Sequence, residues 1–225
     1  MIVLTLPKKR VYQLTVKTKV TKPVIHSIFA TPIYITKIDR EFTEQELQFV
    51  KEQKKYCTDN GCNINTKDNY ILNNKEFSNI KKFLDNHCKE YLDTLICPKN
   101  NIELYITQSW LNFTESNQYH HKHEHPNSVV SGVLYFNSDI KNDKILFTDG
   151  KYQQIRPQID KTKFNLWNSG SWFFPVETGD LFMFPSSTTH EVEIKQGTNT
   201  RISLAFNTFY KGTIGASADL SELIL

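Results

Sequence analysis

Beyond residue 101 the sequence breaks into eight short β-like runs, at 102–113, 129–137, 144–148, 154–158, 171–174, 180–184, 190–194 and 201–210, divided by Gly, Asn, Asp and Pro. Runs this short and this closely spaced leave no room for the helical crossovers of a parallel sheet, so the pattern predicts a sandwich or barrel. A length of 225 residues suits one such domain with helices packed outside it. The 39% hydrophobic share supplies a core, and the 23% charged share is that of an ordinary surface.

Ahead of the β-rich half the signals change. Leu14, Val16 and Val20 alternate with Thr and Lys, which predicts an N-terminal arm or hairpin over residues 1–25, and a second strand is expected at 28–38. Thr43-Glu44-Gln45-Glu46 is a capping box ahead of Leu47, Phe49 and Val50, so a helix begins there. Asn60-Gly61 marks 58–74 as a loop between two helices. Phe77, Ile80, Leu84, Cys88, Tyr91 and Leu95 then form one helical apolar stripe, closed by Pro98. The expected layout is a single domain over 1–225: the arm, a helical support region at 26–100, a β core at 101–210 and a tail at 211–225.

A net charge of +3 is too mild for a nucleic-acid surface, and no apolar run is long enough to span a membrane. Cys57, Cys62, Cys88 and Cys97 lack the close Cys-x-x-Cys pairs of zinc motifs. With no signal peptide read, a cytoplasmic, reduced protein is expected. The arm offers an edge through which a homodimer could form.

Four of the seven histidines fall in His120-His121-Lys122-His123-Glu124-His125. In an extended segment residues two apart face the same way, so His123 with His125, or else His121 with His123, can reach one metal ion. The third ligand expected is His190, at the head of a distant strand. Two near ligands and one remote ligand leave open positions for O₂ and a chelating co-substrate. Arg201 and Ser203 follow after the turn-like Gln196-Gly197-Thr198-Asn199. A hairpin about that turn would set Arg201 opposite His190, where its guanidinium fork suits the distal carboxylate of a dicarboxylate. Tyr135 and Asn112, on neighbouring strands, are further candidates to hydrogen-bond such a ligand. Trp110, Trp167 and Trp172 read as core and rim packing.

Over 109–207 the sequence resembles the 2-oxoglutarate- and iron(II)-dependent oxygenases of the prolyl-hydroxylase-like kind, in particular a small branch from phages and marine bacteria. The resemblance rests on Ser109-Trp110-Leu111-Asn112, His123-Glu124-His125-Pro126, Ser131-Gly132-Val133-Leu134-Tyr135, Gly179-Asp180-Leu181-Phe182-Met183-Phe184-Pro185-Ser186, His190 and Arg201-Ile202-Ser203-Leu204-Ala205-Phe206-Asn207. It implies a mainly β fold, the double-stranded β-helix or jelly roll, with N-terminal flanking helices. It further implies Fe(II) at His123, His125 and His190, 2-oxoglutarate on Arg201, and hydroxylation of a small-molecule or peptide substrate such as a prolyl side chain. Where the superfamily usually has His-x-Asp or His-x-Glu, this chain has His123-Glu124-His125, so His125 stands in for the carboxylate. Two rivals accompany this reading: a cupin-like three-histidine metalloprotein without 2-oxoglutarate, and a non-enzymatic phage structural or binding module.

Overall fold

The computed structural model describes residues 23, 25–150 and 157–225. Residues 1–30 and Thr31–Leu225 fall into two units, and the described residues of the first are exposed and carry no helix or strand. The expected strand around Leu14 to Val20 lies outside the described residues, as does most of the run expected at 154–158.

In chain order the elements are β1 (Tyr34–Lys37), α1 (Glu44–Gln53), β2 (Cys57–Asp59), β3 (Ile64–Thr66), α2 (Ser78–Tyr91), β4 (Ile102–Thr114), β5 (His120–His123), β6 (Val130–Asn137), β7 (Lys144–Thr148), β8 (Ser171–Pro175), β9 (Asp180–Pro185), β10 (His190–Val192), β11 (Arg201–Ile214) and β12 (Leu223–Ile224). They build two antiparallel sheets. The larger runs β1-β9-β6-β11-β4-β3-β2, with β12 on the far part of β11, and the smaller runs β5-β10-β7-β8. This is the jelly roll that the resemblance implies, one of the sandwich and barrel forms that the spacing of short strands predicts.

Strand alternation sorts the large sheet into two faces. Leu111, Phe113, Leu134, Phe136, Leu181, Met183, Leu204 and Phe206 pack with Val50, Phe77, Ile80 and Leu84 of the helical layer. Their neighbours Tyr135, Phe182 and Phe184 point the other way and pack with Ile145 and Phe147 of the small sheet. Successive side chains alternate across a strand, so each strand serves two cores. Burying each large apolar side chain contributes roughly 1.5–3 kcal/mol.

The helices follow their sequence signals. Thr43 Oγ1 accepts from the Glu46 amide and Glu46 Oε2 accepts from the Thr43 amide, closing the capping box. Ile80, Leu84, Cys88 and Tyr91 are buried along one stripe of α2. Leu95 lies beyond it in a π turn over Leu92–Ile96 and is 43% exposed.

Several expectations need correction. The strand expected at 28–38 is confined to β1, and the expected 58–74 loop contains the β2–β3 hairpin, which joins the large sheet through β4. Its strands are only three residues each, too short for a period-2 signal to register. Of the tryptophans read as core and rim packing, Trp167 and Trp172 are 56% and 42% exposed, so neither belongs to a core. His190 and Arg201 do not face each other across a hairpin. His190 pairs with His123 and Phe147 in the small sheet, whereas Arg201 pairs with Thr114 in the large one. Between β10 and β11 the chain crosses from sheet to sheet, and Lys195 is pinned there by Asn199 Oδ1 at 2.7 Å and Asp143 Oδ1 at 3.3 Å.

Candidate metal and ligand site

His190 stands directly across the β10–β5 pair from His123, and His125 follows β5 in a loop held by its amide donating to Ser186 O at 3.0 Å. Below that loop runs a chain of buried hydroxyls: Ser186 Oγ bonds Ser128 Oγ at 2.7 Å and Ser131 Oγ at 2.8 Å, and Ser131 Oγ donates to Asn207 Oδ1. The three histidines offer ligand nitrogens that all lie within 4.8 Å of one another. The Nε2 atoms of His125 and His190 are 3.3 Å apart, close to the roughly 3 Å between two imidazole nitrogens at right angles on one ion with bonds of about 2.1 Å.

The remaining hydrogen bonds fix which nitrogens face inward. His123 Nδ1 lies 2.7 Å from His121 O, and His190 Nδ1 lies 3.0 Å from Thr188 O. A backbone carbonyl only accepts, so each Nδ1 carries the proton and each Nε2 keeps a lone pair, the arrangement by which outer partners orient ligand imidazoles. Burial lowers the pKa of all three, to about 3 for His125 and about 4 for His190. Neutral imidazoles bind a cation without first losing a proton, so the donor set fits a divalent metal. Glu124 points away, accepting from Thr189 Oγ1, and His121 turns outward with its Nδ1 3.9 Å from Cys62 Sγ. Neither joins the cluster.

Facing the histidines, the large sheet presents cross-strand rows: Thr114 opposite Arg201; Asn112, Ser203 and Tyr135 in line; Trp110, Ala205 and Val133 in line. His123, His125, His190, Arg201, Ser203, Tyr135 and Asn112 all line one cavity between the sheets. Arg201 is 4% exposed, and its guanidinium makes one side-chain hydrogen bond, to Thr114 Oγ1 at 3.2 Å, with no carboxylate in ion-pair range among the described residues. Burial lowers its pKa, the cost of holding a cation there without an anion.

Two cavity residues escape a reading of the sequence. His120 would face away from His123 on a regular strand, but β5 and β10 slip register between His190 and Val192, and the two rings come within 4.7 Å. Burial, then His123, push its pKa down to about 3. Asn63, at the start of β3, is 1% exposed and lines the same cavity. A local bulge gives no compositional signal, and a lone Asn in a turn reads as turn chemistry.

The jelly roll thus brings three histidines whose nitrogens could hold one metal ion, and a buried arginine, to the walls of one cavity. Residues 108–207 match the family described as "Putative 2OG-Fe(II) oxygenase", so the core of the chain carries the sequence pattern of 2-oxoglutarate- and iron(II)-dependent oxygenases. No curated protein matches the sequence. Among solved structures, HygX from Streptomyces hygroscopicus, with nickel, 2-oxoglutarate and hygromycin B bound, aligns with a TM-score of 0.53 at 11% identity, over 79% of this chain and 82% of its own. The non-haem α-ketoglutarate-dependent epimerase SnoN from nogalamycin biosynthesis aligns with a TM-score of 0.55 at 11% identity, over 80% and 78%. Likeness at such identity speaks for the fold.

Proposed function

We propose that the protein is an iron(II)- and 2-oxoglutarate-dependent hydroxylase in which His123, His125 and His190 hold the metal. Arg201 receives the distal carboxylate of 2-oxoglutarate, aided by Ser203, Tyr135 and Asn112. The observation that carries this reading is Arg201: a guanidinium 4% exposed, on the cavity wall, with a neutral hydroxyl as its only side-chain partner among the described residues. A buried cation needs an anion, and its fork geometry matches a carboxylate.

Iron(II) at these histidines would supply O₂ activation, coupled to decarboxylation of 2-oxoglutarate to succinate and CO₂ and to hydroxylation of a substrate C–H bond. The residues of the chain do the remainder. Thr188 O and His121 O fix the imidazole orientations. Ser203 Oγ and Tyr135 Oη stand in the row next to Arg201 with no side-chain hydrogen bond among the described residues, so each has a proton to donate to a carboxylate. Trp110, Val133, Ile145 and Phe184 form an apolar wall that keeps water off the reacting carbon. Three neutral ligands leave the ion its full double positive charge, which strengthens its hold on a doubly negative co-substrate. The substrate in this reading is a small molecule or a peptidyl side chain, a prolyl ring among them.

The test is anaerobic titration of the iron(II)-loaded protein with 2-oxoglutarate, following the visible charge-transfer band in wild type and in Arg201→Ala. The band is expected in the wild type and weakened in the variant. Bound iron without a band would leave the cupin-like three-histidine metalloprotein, which the replacement of the usual carboxylate by His125 favours.

A further inference from the structure

The β2–β3 hairpin lies outside the segment that matches the oxygenase family, yet Asn63 of its turn lines the cavity. Its tip is specified by the sequence: Asp59 Oδ1 accepts from the Gly61 amide, Asn60 Oδ1 accepts from the amides of Cys62 and Asn63, and Gly61 takes a φ of +85°. That turn packs against the entry to β5, where the Tyr119 amide donates to Cys62 O at 3.3 Å. The hairpin thereby extends the large sheet beyond β4 and reaches the edge of the small sheet near β5, on the side of the cavity lined by His120 and Arg201.

The last residue of that turn is Asn63. Nδ2 donates to Thr114 Oγ1 at 3.0 Å, while Oδ1 is buried without a partner among the described residues. The same Thr114 oxygen accepts from Arg201 Nη2 at 3.2 Å. Two irregularities thus sit together. A buried amide oxygen has no donor, and the Thr114 hydroxyl, accepting from both neighbours, has no side-chain acceptor for its own proton. A buried polar atom left unpaired costs about 1–3 kcal/mol. Turning the Asn63 amide end for end exchanges the two for one: Thr114 donates to Oδ1, and Nδ2 becomes a buried donor near Arg201 that lacks an acceptor until a ligand brings one. Oxygen and nitrogen ends of an amide have nearly the same shape, so the turn needs no new space.

We propose that Asn63 is a ligand-binding residue of the carboxylate pocket: with a dicarboxylate seated, its amide donates to the carboxylate that Arg201 holds, while Thr114 ties the two side chains together. This rests on the co-substrate reading above and adds to it a residue from the N-terminal half, so that the hairpin, and not the jelly roll alone, completes the pocket. The remaining polar face of the pocket, Ser203 and Asn112, is supplied by the strands themselves.

The experiment measures, by calorimetry under argon on the full chain, the affinity of the protein for iron(II) and then of the iron(II)-loaded protein for 2-oxoglutarate, in wild type, Asn63→Ala and Asn63→Asp. Loss of one hydrogen bond to a charged group weakens 2-oxoglutarate binding about tenfold in Asn63→Ala, with iron(II) affinity unchanged. Asn63→Asp places a second anion against the carboxylate and weakens it by more than about a hundredfold. If Asn63→Ala binds 2-oxoglutarate as the wild type does, or loses iron(II) and 2-oxoglutarate affinity together, the residue is structural and the proposal is wrong. A wild-type protein that binds iron(II) but no 2-oxoglutarate overturns the co-substrate reading and this proposal with it.

Discussion

Nε2 of His125 lies 3.3 Å from Nε2 of His190, although 65 residues separate them in the chain. Thr188 O holds the proton of His190 on Nδ1, so its Nε2 turns a lone pair toward His125, and a cation between the two rings would be held by both. Metal should therefore stabilise the fold strongly. At a free ion concentration about a thousand times the dissociation constant, linkage predicts a gain near 4 kcal/mol, read as a rise in melting temperature that chelation reverses. An unchanged melting temperature with added iron(II), manganese(II) or zinc(II) would count against the cluster as a metal site.

The same histidines make the metal-free fold sensitive to acid. Burial holds His125 at about 3 and His190 at about 4, below the value of about 6.5 for an unfolded histidine. The unfolded chain therefore binds more protons, so stability is fully present above about pH 6.5 and is lost as pH falls toward 4. Melting curves from pH 7.5 to 4.5 should show this decline in wild type and a shallower one in His125→Gln. Parallel declines would show that other groups govern the acid limb.

Ser186 tests the support beneath the proposed ligands. Its carbonyl fixes the His125 loop, and its hydroxyl joins Ser128 to Ser131 in the interior. Outer partners of metal ligands typically matter by about 10–100-fold in metal affinity, and Ser186→Ala should fall at the lower end because the backbone contact survives. Competition titration against a metal-sensing dye measures it.

Lys195 and Asp143 form an ion pair with both side chains fully buried, at the crossing between the sheets. Removing one partner strands the other charge, so Lys195→Met should cost about 3–5 kcal/mol in urea unfolding, and Lys195→Met with Asp143→Leu should recover much of it. Equal loss in the single and double variants would assign the cost to packing instead.

Gly132 faces Phe206 across β6 and β11, and a Cβ on it would meet the Phe206 ring at 2.1 Å. Gly132→Ala should cost roughly 1–3 kcal/mol by overpacking, with partial rescue by Phe206→Leu. A neutral Gly132→Ala would mean the ring moves freely aside.

The alternation of the strands, the stripe of α2, the capping box at Thr43 and the histidine tract could all be read along the chain, because each depends on neighbours within a few residues. Strand period and helix period are local, and so are the caps that begin a helix. The tract also supplied two of the three clustered imidazoles. What only the tertiary structure decided is which sheet each distant element joins. His190 and Arg201 are eleven residues apart and looked like hairpin partners, yet they lie on opposite walls of the cavity because the chain changes sheets between them. The bulge that turns His120 inward and the three-residue strands that carry Asn63 to the pocket belong to the same class. Pairing between strands far apart in sequence is fixed by which faces can be buried together, and that sum over the whole chain leaves no mark on any single stretch of it.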